Sequence, residues 1–168
     1  MNIIRNFALF LLFFPAITYS DVYITLEATL ISPACVVTST NGEKELTVNF
    51  SDVNAERIPE TKKTFQLVIE KCDVKKGLQM YLSPKDGDTA LINGIPVLTT
   101  NIDGLGIRFV QEGQVSSLPF YEWKKIIPTT NDSKGFFAIE AQLVTDKKIE
   151  DLQGGPFRAA ISLMIDYI

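Results

Sequence analysis

Hydrophobic residues recur with a period of two along most of this chain, and no long segment shows the helical period. That alternation puts successive side chains on opposite faces, so the chain is committed to strands with one buried face. Val22-Tyr-Ile-Thr-Leu-Glu-Ala-Thr-Leu-Ile31 alternates cleanly. Strands are also expected over Leu46–Phe50, Thr64–Cys72, a short Leu78–Leu82, Leu105–Val110 and Phe136–Thr145. Turn signals separate them about every dozen residues. Asn41-Gly42 and Pro84-Lys-Asp-Gly87 read as turns, and Asn93-Gly94 between Leu91-Ile92 and Ile95 is the chemistry of a tight hairpin. Asp52–Thr61 has room for a helical turn, and Glu122–Pro128 reads as neither element. With no internal repeat or linker, the expectation is one all-β sandwich domain.

The first twenty residues read as an address. Arg5 is followed by the apolar run Phe7–Phe14, Pro15 and the exit Thr18-Tyr19-Ser20, which is the order of a secretory signal peptide cleaved after Ser20. The run is about half of the roughly 20 apolar residues that a spanning helix needs. No cysteine follows it directly, so no lipid anchor is expected. Export bears on Cys35 and Cys72, the chain's two cysteines, because an oxidising compartment favours pairing them. The bridge would close a loop of about 37 residues, worth roughly 4 kcal/mol on the chain-entropy model.

Composition closes several doors. The 168 residues include no histidine, which excludes a Ser-His-Asp triad, a Cys-His nucleophile and imidazole metal ligands. Two cysteines cannot by themselves hold zinc or an iron–sulfur cluster. A formal charge of −4 gives no reason to expect nucleic acid as a partner. Glu43/Glu45 and Asp86/Asp88 lie in turn-rich, lysine-bearing stretches, without the further ligands or enclosure that calcium binding or glycosidase chemistry needs. Gly104-Leu-Gly106 lacks the third glycine of a dinucleotide fingerprint. Lys62-Lys63, Lys75-Lys76, Lys124-Lys125 and Lys147-Lys148 read as solvated turns and strand ends. Neither a cofactor nor a metal is expected, and no enzymatic constellation is present. Phe120-Tyr121-Glu122-Trp123 offers rings that can stack on a sugar, although a tryptophan in a long loop more commonly anchors against the sandwich.

The two ends carry the functional information. Phe157, Ala159, Ile161, Leu163, Ile165 and Tyr167 fall on one face of a final strand, and the chain stops at Ile168. A strand this apolar normally has a neighbour on each side, because a bare edge invites aggregation. At the other end, Val22, Ile24, Leu26, Ala28 and Leu30 form a second stripe ahead of the first cysteine. One end lacks a strand and the other offers one. The residues alone leave open that Val22–Leu30 is an ordinary first strand of its own sheet, and that Tyr167 merely reaches backbone with its hydroxyl.

These features resemble the pilin subunits of the chaperone–usher pathway of Gram-negative bacteria. Asp21–Cys35 is similar to the N-terminal extension and first-cysteine segment of minor, tip-located pilins, and Cys72 matches the second cysteine. Gly155, the alternating strand with Phe157 and Ala159, and the penultimate Tyr167 match the C-terminal signature. The middle, about Pro84–Asn131, matches only in strand rhythm. The resemblance implies an incomplete immunoglobulin-like β-sandwich lacking its final strand. It divides the chain into a signal peptide (1–20), a donor-strand extension (21–34) and a pilin domain (35–168).

It also implies the partners: a periplasmic pilus chaperone, an outer-membrane usher and neighbouring pilins, with export through the periplasm to a surface fimbria. By that reading Gly155, Phe157, Ala159, Ile161, Leu163, Ile165 and Tyr167 form the acceptor groove and chaperone-binding strand, while Val22, Ile24, Leu26, Ala28 and Leu30 are donated. The extension usually carries glycine where this chain has Ala28. The expected protein is a minor or tip-adaptor pilin in cell adhesion. A single-domain adhesin binding a host glycan or receptor, or an assembly-terminating pilin, are the alternatives.

Overall fold

The computed structural model describes residues 34–168. The segment expected to be a signal peptide (1–20) and the Val22–Leu30 stripe lie outside the described residues.

The described chain forms ten strands in two layers. They are β1 (Val36–Ser39), β2 (Lys62–Glu70), β3 (Leu78–Asp86), β4 (Thr89–Ile92) and β5 (Ile95–Thr99). β6 (Leu105–Gln111), β7 (Trp123–Ile126), β8 (Thr129–Asn131), β9 (Lys134–Thr145) and β10 (Ala160–Tyr167) follow. One sheet has the order β1-β2-β9-β6-β5-β4, with β8 also on β9, and the other is β10-β3-β7. Every strand-to-strand ladder is antiparallel. The two inner faces meet in one core that includes Leu67, Ile69, Met80, Leu82, Phe137 and Ile139. Period-two patterning dictates this: along β9, Gly135, Phe137, Ile139, Ala141 and Leu143 are buried, whereas the intervening side chains are not.

Local chemistry accounts for the turns. Asn93 and Gly94 both have positive φ (52° and 76°), as a two-residue hairpin loop between β4 and β5 demands. The 3₁₀ segment Ala55–Glu60 is capped by Asn54, whose Oδ1 accepts the Glu56 N–H at 3.0 Å. Cys35 and Cys72 form the expected disulfide, with Cα atoms 4.9 Å apart.

Several boundaries differ from the sequence reading, each for a physical reason. Leu46–Phe50 has strand pattern but joins no ladder; its side chains lie along an opening between the sheets, where no described strand offers a partner. β3 runs through Pro84 to Asp86, and the expected turn is delayed to Gly87 (φ +92°). Pro84 is tolerated there because β7 pairs only Leu78–Tyr81, leaving one side of β3 without a ladder at that point. Glu122–Pro128, unassigned from sequence, contains β7. Lys62-Lys63 form the exposed start of β2, a strand end as expected, and Lys124-Lys125 stand exposed within β7.

Candidate functional site

β10 follows the break at Gly154-Gly155-Pro156 after a short stretch outside the ladder, and it lies at the edge of its sheet with β3 on one side. β1 is an edge strand of the facing sheet. Between these two edges, among the described residues, no strand intervenes, and a groove of about 1710 Å³ opens into the interior. One wall is the chain from Leu152 to Leu163. The other is β1 and the irregular segment from Glu43 to Val53. The floor is core: Phe65, Leu67, Leu98, Ile107 and Leu143 line it.

The alternating stripe points inward as its spacing predicts, but it is not evenly covered. Ile165 is buried (6% exposed), whereas Phe157, Ala159, Ile161 and Leu163 are only half-buried. The groove is therefore open over the first two-thirds of the stripe and closes toward Ile165. Ser162, Met164 and Asp166 face outward. Gly155 sits exposed at the bend that leads into the stripe. A groove with this lining offers two things: apolar surface to bury, and a strand edge whose backbone groups can form a ladder.

Both ends of the stripe are pinned. At the Phe157 end its ring lies 5.9 Å from that of Phe50, across the groove. The Asn101 side chain brackets the same residue, its Nδ2 donating to the Pro156 carbonyl (3.0 Å) and its Oδ1 accepting the Arg158 N–H (2.8 Å). At the other end the Tyr167 hydroxyl accepts the backbone N–H of Asp73 (2.8 Å), and the Lys76 ammonium stands 5.6 Å from the ring centroid. The Gln79 amide donates to the Tyr167 carbonyl, and the Ile168 N–H to the Gly77 carbonyl, both at 3.0 Å.

Phe50 and Asn101 have no signal in the sequence that singles them out. Phe50 would have needed the knowledge that Leu46–Phe50 is unpaired, and a lone asparagine in a turn is commonplace.

Charge plays little part at the groove. Lys85 and Glu45 pair at 3.8 Å on its exposed rim. Among the described residues, the carboxylate with a lowered pKa, Glu140, lies elsewhere, on the outer face of the larger sheet. A hydrogen bond from Lys62 (2.9 Å) and another from Gln142 (2.6 Å) favour its charged form, against a smaller opposing effect of burial. Among the described residues, no three His, Cys, Asp or Glu side chains are grouped to hold a metal ion.

Phe120–Trp123 does not assemble into one site. Phe120 is buried against Phe109, ring centroids 6.1 Å apart. Trp123 opens β7 instead of sitting in a loop, and its ring meets Tyr81 at 5.2 Å on the outer face of the smaller sheet, 45% exposed.

The family model described as fimbrial protein matches residues 23–168. No curated protein matches the chain. Among solved structures, the chain is similar to the P pilus adaptor subunit PapF, at 20% identity over 82% of this chain and 98% of that one, with a TM-score of 0.56. It is similar to the P pilus rod subunit PapA at 15% identity, covering 81% and 100%, with a TM-score of 0.58. A structure of a chaperone–usher pilus matches at 13% identity, covering 92% and 99%, with a TM-score of 0.60. At these identities the likeness establishes the shared fold.

Proposed function

The chain belongs to the fimbrial protein family, and from that premise we propose that it is a non-enzymatic subunit of a chaperone–usher fimbria that polymerises by donor-strand exchange. Its groove accepts a strand beside β10, first from a periplasmic chaperone and then, at the outer-membrane usher, from the extension of another subunit. Its own extension, 21–34, supplies Val22, Ile24, Leu26, Ala28 and Leu30 to the next groove. This is strand addition to an open sheet edge, a mode for which pilin complementation is a standard example. The finished fimbria stands on the cell surface, and the similarity of Asp21–Cys35 to minor pilins favours an adaptor position near the tip.

The observation that carries this reading is the pairing of an edge strand with an exposed core: the edge of β10 borders a groove in which Phe157, Ala159, Ile161 and Leu163 are only half-covered. A donated strand would satisfy both deficits together. Burying five alternating apolar side chains gives a gross gain of roughly 7–13 kcal/mol, part of which is offset by ordering the extension. Register is fixed by the same alternation, since a slip of one residue turns every apolar group outward. Ala28, where glycine is usual, adds one methyl group to the closest approach of donor and groove.

The test is to isolate the periplasmic subunit and ask what travels with it. A stoichiometric chaperone that exchanges for a synthetic Asp21–Ser32 peptide is the expected result. A lone, durable monomer that takes up no peptide overturns the reading.

A further inference from the structure

The strand ladder of β10 starts at Ala160, yet the chain lines the groove from Leu152 onward and the apolar stripe already begins at Phe157. The three residues between have no ladder on β3, and two glycines precede them, which leaves that stretch of backbone intrinsically loose. Asn101 supplies what the ladder does not. Its planar amide gives a donor to the carbonyl of residue 156 and an acceptor to the N–H of residue 158. In extended chain those two groups point to one side and the N–H and C=O of the residue between them point to the other. The amide thus acts as a rung of β-ladder made by a side chain, and it leaves the backbone of Phe157 turned away from it.

The turn that carries Asn101 is itself braced. Thr100 Oγ1 accepts the Ile102 N–H (3.1 Å) and donates to the Leu105 carbonyl (2.9 Å), and the Leu105 N–H donates to the Ile102 carbonyl (3.1 Å). The clamp is therefore held on the rigid β5–β6 connection and not on the groove's own flexible approach.

We propose that Asn101 is a positioning residue for strand acceptance: by clamping residues 156–158 extended, it lengthens the acceptor edge of β10 back to Phe157. An incoming strand then gains a further rung, and Phe157 is presented as a fixed wall. This rests on the acceptor-groove reading above.

The experiment uses the full chain and a labelled Asp21–Ser32 peptide, comparing wild type with Asn101→Ala and Asn101→Asp. In the wild type, filling the groove slows hydrogen exchange at the Phe157 amide as well as at the amides of β10. In Asn101→Ala the Phe157 amide loses that protection, those of Ile161–Ile165 keep it, and the peptide leaves about three- to tenfold faster, the range for one or two solvent-accessible hydrogen bonds. Asn101→Asp keeps the acceptor for Arg158 but sets a carboxylate oxygen against the Pro156 carbonyl, and falls between the two. Unchanged Phe157 protection and release in both variants overturns the proposal. So does a uniform fall in protection that includes β2 and β9, which would make Asn101 a general stabiliser only. A wild-type chain that takes up no peptide fails before any substitution, and brings down the acceptor reading itself.

Discussion

The Tyr167 hydroxyl accepts a hydrogen bond from the backbone N–H of Asp73, 94 residues earlier in the chain and one residue beyond the disulfide cysteine Cys72. The end of the last strand is thereby tied to the same corner that the Cys35–Cys72 bridge fastens to β1. The reach to backbone that the sequence left open for Tyr167 is present, and it does not compete with a role in chaperone docking, because the ring remains half-exposed.

Tyr167→Phe keeps the ring and its contact with Lys76 but removes the acceptor. Since water can reach the Asp73 N–H, the expected cost is about 0.5–1 kcal/mol in urea unfolding. Tyr167→Ala also removes the ring, and under the proposed function it lowers the amount of subunit recovered with its chaperone. Equal recovery of the alanine variant and wild type would remove Tyr167 from the docking surface.

Leu163 and Ile165 share one stripe but differ in cover, so alanine substitutions at the two separate folding from strand acceptance. Ile165→Ala opens a cavity in the closed part of the core and costs about 2–5 kcal/mol with the groove empty or filled. Leu163→Ala costs distinctly less in the empty subunit, and its main effect is faster release of a bound Asp21–Ser32 peptide. Unfolding of the two states and peptide dissociation measure both.

Removing the disulfide by the paired change Cys35→Ser and Cys72→Ser should cost roughly 4 kcal/mol, from the loop that the bridge closes. Urea unfolding of oxidised and reduced wild type gives the same comparison without substitution. A loss much below 2 kcal/mol would mean that the corner is held mainly by its hydrogen bonds.

Glu140 is held below its ordinary carboxylate pKa by Lys62 and then by Gln142. A group whose pKa is depressed on folding contributes stability above its unfolded pKa and loses it as pH falls through the folded value. Glu140→Gln should therefore flatten part of the acid limb of the stability profile, below the usual glutamate range, with little change in its shape near neutrality. Lys62 is largely exposed, so added salt should shrink the difference.

What was legible in the sequence was whatever local chemistry decides. Asn93-Gly94 can hardly be anything but a tight turn, and the inward stripe from Phe157 to Tyr167 follows from spacing alone. Pairing was not legible, because it depends on what lies alongside. Leu46–Phe50 and β7 carry opposite mismatches: Leu46–Phe50 has strand pattern without a partner, whereas β7 has no clear pattern yet finds β3. Pro84 reads as a turn until the short reach of β7 is known. Alternation located the groove's β10 wall, but it was silent on the opposite wall and on Asn101, which acts through two hydrogen bonds to backbone 55 and 57 residues away in sequence.

The position of Cys35 has a mechanical consequence. Under the proposed function, pull along a filament would reach each subunit through the chain just ahead of this cysteine, at the start of β1. A four-residue edge strand loaded from its end would be stripped from the sheet one bond at a time. The covalent link to Cys72 would pass the tension straight to the end of β2, eight of whose nine residues are laddered to β9 in the larger sheet. The bridge would thus spare this short edge strand from carrying the load alone.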